Sequence, residues 1–178
     1  MRKTIRLAAL ALASAMALTA GTVSADKMKV GFIYIGPPGD HGWTYAHDQG
    51  RLTIEDQLGD HVETTFVEGV PEGPDAERAI AKLAETGHKL IFTTSFGYME
   101  PTLKVAKRFP DVKFEHATGY KQADNVATYS ARFYEGRYVQ GQIAAKISKS
   151  GIIGYIASFP IPEVVRGINA FMLGAQSI

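Results

Sequence analysis

The chain has 178 residues, 46% of them hydrophobic and 21% charged, with a formal net charge of +1. That is the composition of one globular domain or one and a fraction, and it carries no electrostatic footprint for nucleic acid. Cysteine is absent, which excludes disulfides, a thiolate-ligated zinc and the usual acceptor of a bacterial lipid anchor.

The chain opens on a leader pattern. Arg2, Lys3 and Arg6 form a basic start, residues 7–20 are apolar but short for a bilayer span, and Val23-Ser24-Ala25 sets small residues before a cut. The pattern predicts a secretory signal peptide over residues 1–25. Cleavage removes three of the 19 basic residues and none of the 18 acidic ones, so the mature chain turns slightly acidic. No later segment has the length and apolarity to cross a membrane, and the expected location is the periplasm, in soluble form.

Residues 30–35 are apolar on both parities, as in a strand covered on both faces of a parallel sheet. Gly36-Pro37-Pro38-Gly39 stops the strand, Asp40 is an acceptable N-cap, and Trp43 opens a helix predicted to run over 43–58. A second strand is predicted over 62–67, followed by the Gly/Pro loop 68–74 and a helix over 75–85 with Ala76, Ala79, Ile80, Leu83 and Ala84 on one face. Residues 89–95 read as a third strand, 95–98 as its loop and 100–109 as a helix. Strands follow at 111–118 and 125–131, then a helix over 134–148, a sixth strand over 151–157 and a last helix over 161–177.

This β-α alternation predicts a doubly wound parallel α/β sheet. The link 119–124 holds no helix, so the fifth strand is expected to be an edge or to lead out of the domain. Ser148-Lys149-Ser150-Gly151 reads as a boundary between a first lobe, 26–149, and the beginning of a second, 150–178. On that reading the chain is the first part of a longer protein, and residues 26–178 alone are expected to be marginally stable and to bind ligand weakly.

In an open α/β sheet the ligand crevice lies at the carboxyl ends of the strands. The spacing of Gly36, Gly39 and Gly42 is not that of a dinucleotide-binding loop, and Pro37 and Pro38 remove donors that a pyrophosphate would need. His41 and His47 lack the i, i+4 spacing of a helical metal pair, and Ser95 sits in T-T-S-F-G rather than the G-x-S-x-G of a nucleophile elbow, so no metal and no cofactor is expected. The crevice loops do carry aromatics: Trp43 and Tyr45 in the first, Phe96 and Tyr98 around Gly97 in the third, and Phe159 after the sixth strand. With Asp40, Thr44, Ser95 and Glu135 as polar contacts, they fit a stacking pocket for a flat ligand.

The segments that carry these residues resemble the basic membrane protein family of ABC transporter substrate-binding proteins, which includes purine-nucleoside receptors. The resemblance rests on VGFIYIGPPGDHGWTYAHDQGR at the first loop, on SFGYMEPTLKVAKRFPDVKF, on Glu135, Gly136, Tyr138 and Gly141 within ARFYEGRYVQGQIAA, and on GIIGYIASFPIPEVVRGINAFMLGA. It implies a type I periplasmic binding fold, two lobes closing on a small molecule, and a membrane permease as partner. It implies a purine nucleoside or base as ligand, with Trp43 stacking and Asp40 accepting hydrogen bonds. Ser95, Phe96, Gly97 and Tyr98 would line one wall, and Phe159 would approach from the second lobe. Many members carry an asparagine where this chain has Thr44, which shifts the expectation toward a free base. A sugar receptor, a ligand-sensing domain and an exported hydrolase using Asp40 or Glu135 remain as alternatives.

Overall fold

The apolar run 30–35 contributes to the second strand, in spatial order, of a five-stranded sheet. The computed structural model describes residues 26–178, so the leader reading lies outside the described residues. In chain order the elements are β1 (Met28–Ile33), α1 (Trp43–Leu58), β2 (Val62–Val67), α2 (Pro74–Glu85), β3 (Leu90–Thr93), α3 (Met99–Arg108), β4 (Lys113–Ala117), β5 (Val126–Tyr129), α4 (Phe133–Ile147) and α5 (Pro162–Gln176). The strand order is β2-β1-β3-β4-β5 and every neighbouring pair is parallel.

The two parities of β1 feed two cores. Ile33 joins Ile80, Leu83, Ile91, Val105, Phe114 and Val126 beneath α2 and α3. Val30, Phe32 and Tyr34 face the other way with Val62 and Ile54, beneath α1. Helices thus cover both faces, as the unbroken apolar run requires. The second face also buries charge: Asp48 accepts from the Tyr34 hydroxyl at 3.1 Å and from Arg51 Nε at 2.6 Å. Arg51 is further paired with Glu55 at 3.0 Å and lies over the Phe66 ring. The cation is therefore paired and hydrogen-bonded, which a buried charge demands.

β5 is an edge strand parallel to β4, reached without a helix. β4 has five residues, a span of about 17 Å, which residues 118–125 cover as irregular chain. Asn125 anchors the return. Its Nδ2 lies 2.9–3.2 Å from the carbonyls of Ala106, Phe109 and Val112, and so satisfies groups that the end of α3 leaves open.

Two local expectations are corrected. Asp40 is not the N-cap of α1. Pro38–Asp40 forms a short 3-10 turn, His41 takes a left-handed conformation at φ 54°, and the helix starts from Gly42. The sixth strand, 151–157, does not form, and the segment is irregular. A strand needs a neighbour for its N–H and C=O groups, and among the described residues none lies beside it. Ile152 and Ile156 are accordingly exposed.

The chain beyond β5 is a helix pair. α4 and α5 cross at Gly141 and Gly174, where an added Cβ would lie 2.0 Å from the carbonyl oxygens of Phe171 and Tyr138 respectively. Side-chain-free surfaces on both helices permit this backbone approach.

Candidate functional site

Four loops at the carboxyl ends of the strands converge on a cleft of about 710 Å³, a size usual for small-molecule sites. Ile35 and Trp43 come from the loop after β1 and the start of α1, Glu72 from the loop after β2, Ser95 and Phe96 from that after β3, and Thr118 from that after β4. Ser158 to Ile161, with Glu163 and Val164 of α5, form the opposite wall. A shallow hollow of about 620 Å³ also lies along α5, but among the described residues only Pro160 and one face of that helix line it. The cleft is the place where separate loops meet.

Trp43 is held in position. Its Nε1 donates to the carbonyl of Thr94, and its ring is 4.7 Å from His47 and 6.1 Å from Phe133. A tethered, half-buried indole loses little freedom when a flat ligand stacks on it. With Ser158, Glu163 and Val164 it also lines a smaller neighbouring cavity of about 310 Å³, to which Phe133, Arg137 and Tyr155 contribute.

Glu72 ties the second and third loops together. Its Oε1 accepts from Ser95 Oγ at 2.5 Å and from the Gly97 N–H at 2.9 Å. The carboxylate packs directly on residue 97, where an added Cβ would fall on it, so a larger residue there would push the Glu72 side chain aside. Burial, and after it the Glu72 charge, pushes the Tyr98 phenol above its usual range.

The cleft gathers Trp43, Ser95, Phe96 and Phe159 of the sequence-derived candidates. Gly97 stands beside it through its N–H to Glu72. Thr44 is 1% exposed and accepts from the Gly36 N–H at 3.3 Å, so it pins the first loop from within. Tyr98 is fully buried, its hydroxyl donating to the carbonyl of Val70 at 2.5 Å. Tyr45 packs 4.8 Å from His41, outside the cleft lining. Glu135 pairs with Arg132 at 2.6 Å on α4, also outside it. The Asp40 side chain lies outside the described residues. Glu72, Thr118 and Glu163 line the cleft without having been candidates; for Glu72 and Thr118, place at a strand's carboxyl end was the available signal.

Beneath the third and fourth loops lies His116. It is fully buried, with Nδ1 3.0 Å from Thr93 Oγ1 and no partner at Nε2 among the described residues. Burial lowers its pKa from 6.5 to about 4. The folded protein refuses a proton that the unfolded chain accepts, so its stabilising effect is complete above pH 6.5 and is lost as pH falls toward 4. The full shift corresponds to about 3 kcal/mol. His116→Gln, which cannot titrate, is expected to flatten the fall in denaturation midpoint between pH 7 and 4.5. Parallel curves for the two proteins would show that His116 has no such role.

The comparisons with known proteins agree with this architecture. Residues 27–178 match the family model Bmp, described as ABC transporter substrate-binding protein PnrA-like. A purine-binding protein of Brucella abortus is 73% identical over 153 residues, which are 86% of this chain and 44% of that protein. A protein of Haloferax volcanii, provisionally named an ABC transporter glucose-binding protein, is 43% identical over 89% of this chain and 40% of its own length. The crystal structure of an ABC transporter solute-binding protein from Aeropyrum pernix superposes with a TM-score of 0.72 at 27% identity, covering 84% of this chain and 43% of that one. The chain thus spans less than half the length of these relatives. With a family match over residues 27–178 and a fold that superposes on a solved solute-binding protein, the chain belongs to the Bmp family of PnrA-like ABC transporter substrate-binding proteins.

Proposed function

We propose that the protein captures a purine base or nucleoside in the cleft at Trp43 and presents it, unaltered, to the permease of an importer outside the cytoplasm. The carrying observation is the tethered indole of Trp43 in a cleft of about 710 Å³ shared with Phe96 and Phe159. Flat faces of this kind suit a heteroaromatic ring. The purine-binding name of the 73% identical Brucella protein supports the choice of ring. A second reading, glucose, draws on the Haloferax relative; an aromatic face also stacks on the C–H face of a sugar.

Calorimetry separates the two. The protein expressed from its own gene is titrated with adenine, hypoxanthine, guanosine and glucose. Micromolar or tighter binding, about −8 kcal/mol, is expected for at least one purine, with no heat from glucose. The reverse pattern would establish the sugar reading. Chromatography of the ligand after release is expected to return it intact, and conversion of guanosine to guanine would contradict binding without turnover.

A further inference from the structure

We propose that Glu72 is a specificity-determining residue that reads an N–H donor on the edge of the bound heterocycle. The inference rests on the purine reading above and adds to it the chemical feature that the site selects.

The carboxylate is built into the cleft wall rather than left on a free side chain. Ser95 Oγ and the Gly97 N–H both donate to its Oε1. Its Oε2 takes no hydrogen bond from the described residues, although Glu72 lines the cleft. One oxygen is thus used to fix the group, and the other keeps its acceptor capacity, since an ionised carboxylate only accepts. A larger residue in place of Gly97 would displace the carboxylate from this position.

The surroundings define what can meet that oxygen. Trp43, Phe96 and Phe159 supply ring faces in the same cleft. A planar ligand held among them presents only its edge to Glu72. The edge must offer a donor, because a ring nitrogen or carbonyl acceptor would face a carboxylate without a proton between them. A donor matched to a charged acceptor is stronger than a neutral pair. Glu72 is exposed, so the cost of an unmatched acceptor arises when a bound ring covers it and shuts out water. Ligands with an exocyclic amine or a protonated ring nitrogen satisfy the site.

The test uses adenosine and N6,N6-dimethyladenosine, which differ in the donors on one edge, and inosine and 1-methylinosine, which differ in the ring N–H. The protein expressed from its own gene is expected to bind at least one parent nucleoside tenfold or more tightly than its methylated form. Glu72→Gln can keep an oxygen toward Ser95 and Gly97 while turning an amide N–H₂ into the cleft. It is expected to weaken the preferred parent at least tenfold and to lose most of the discrimination. Its melting temperature is expected to stay within about 3 °C of the parent protein, as for a surface change.

If Glu72→Gln keeps full discrimination, the proposal is wrong while the purine reading stands. If it weakens parent and methylated forms equally, Glu72 only positions the loops, and the proposal is again wrong. If the unsubstituted protein binds none of the four nucleosides but binds adenine, the pair adenine and N6,N6-dimethyladenine takes their place with the same criteria. If it binds no purine at all, the purine reading falls and the proposal falls with it.

Discussion

Gly174→Ala is expected to lower the melting temperature by roughly 2–8 °C, although alanine is the better helix former. Two effects of opposite sign compete at this position. Helix propensity favours alanine over glycine by about 1 kcal/mol. Against it, the new Cβ would lie 2.0 Å from the Tyr138 carbonyl oxygen and 3.1 Å from its Cα. These are backbone atoms of α4 and cannot swing aside, so the helices must separate. Overpacking of this kind costs about 1–3 kcal/mol, and the opened seam loses further contact between α4 and α5. Gly141→Ala faces Phe171 in the same way and is expected to behave alike. Gly50→Ala in α1 is the control: it is exposed and meets nothing within 4 Å, so propensity acts alone and the melting temperature is expected to rise. If Gly174→Ala were as stabilising as Gly50→Ala, the close crossing of α4 and α5 would be refuted. The effect also reaches the cleft, because α5 carries Glu163 and Val164 of its second wall; ligand affinity is expected to fall together with stability.

Trp43→Ala is expected to reduce purine affinity by about 30-fold or more, corresponding to about 2 kcal/mol for a base stacked on an aromatic side chain. Trp43→Phe is expected to lie between. It keeps a stacking face but loses the Nε1–H donor that ties the ring to the Thr94 carbonyl, so its ring pays more entropy on binding. That ordering, Trp above Phe above Ala, separates a stacking role from mere filling of space. Equal affinities of the unsubstituted protein and the Trp43→Ala variant, measured by calorimetry, would remove the indole from the site.

The sheet was legible from sequence because burial on both faces leaves a signal that needs no partner to be named. Residues 30–35 are apolar on both parities, and the helix faces at Ala76, Ile80, Leu83 and Ala84 repeat at helical spacing. The absent helix between β4 and β5 was readable in the same way, and the edge position of β5 follows from it. The segment 151–157 shows the limit. Its apolar run has the composition of a strand, but a strand is a pairing, and composition does not say whether a neighbour exists.

Site residues divide along a similar line. Trp43, Ser95 and Phe96 stand at or beside the ends of elements and Phe159 in the irregular segment before α5, and the structure brings the four together in one cleft. Thr44 and Tyr98 are adjacent to them in sequence, yet their side chains turn inward to Gly36 and Val70. One residue along a helix changes the facing direction by about 100°, which a loop boundary uncertain by a residue cannot resolve. Glu72 was hidden for another reason. It sits in EGVPEGPD, an acidic turn that reads as a solvated loop, and its position depends on a backbone N–H 25 residues further on.

In the proposed function a purine is held against Trp43. Trp43 is the single tryptophan of these 178 residues, and subtracting the response of the Trp43→Phe variant isolates its emission. Adding hypoxanthine, adenine or guanosine to the protein expressed from its own gene is expected to change that emission saturably, with the same midpoint that calorimetry gives. Binding seen by calorimetry with the tryptophan emission unchanged would place the ligand elsewhere and contradict the account.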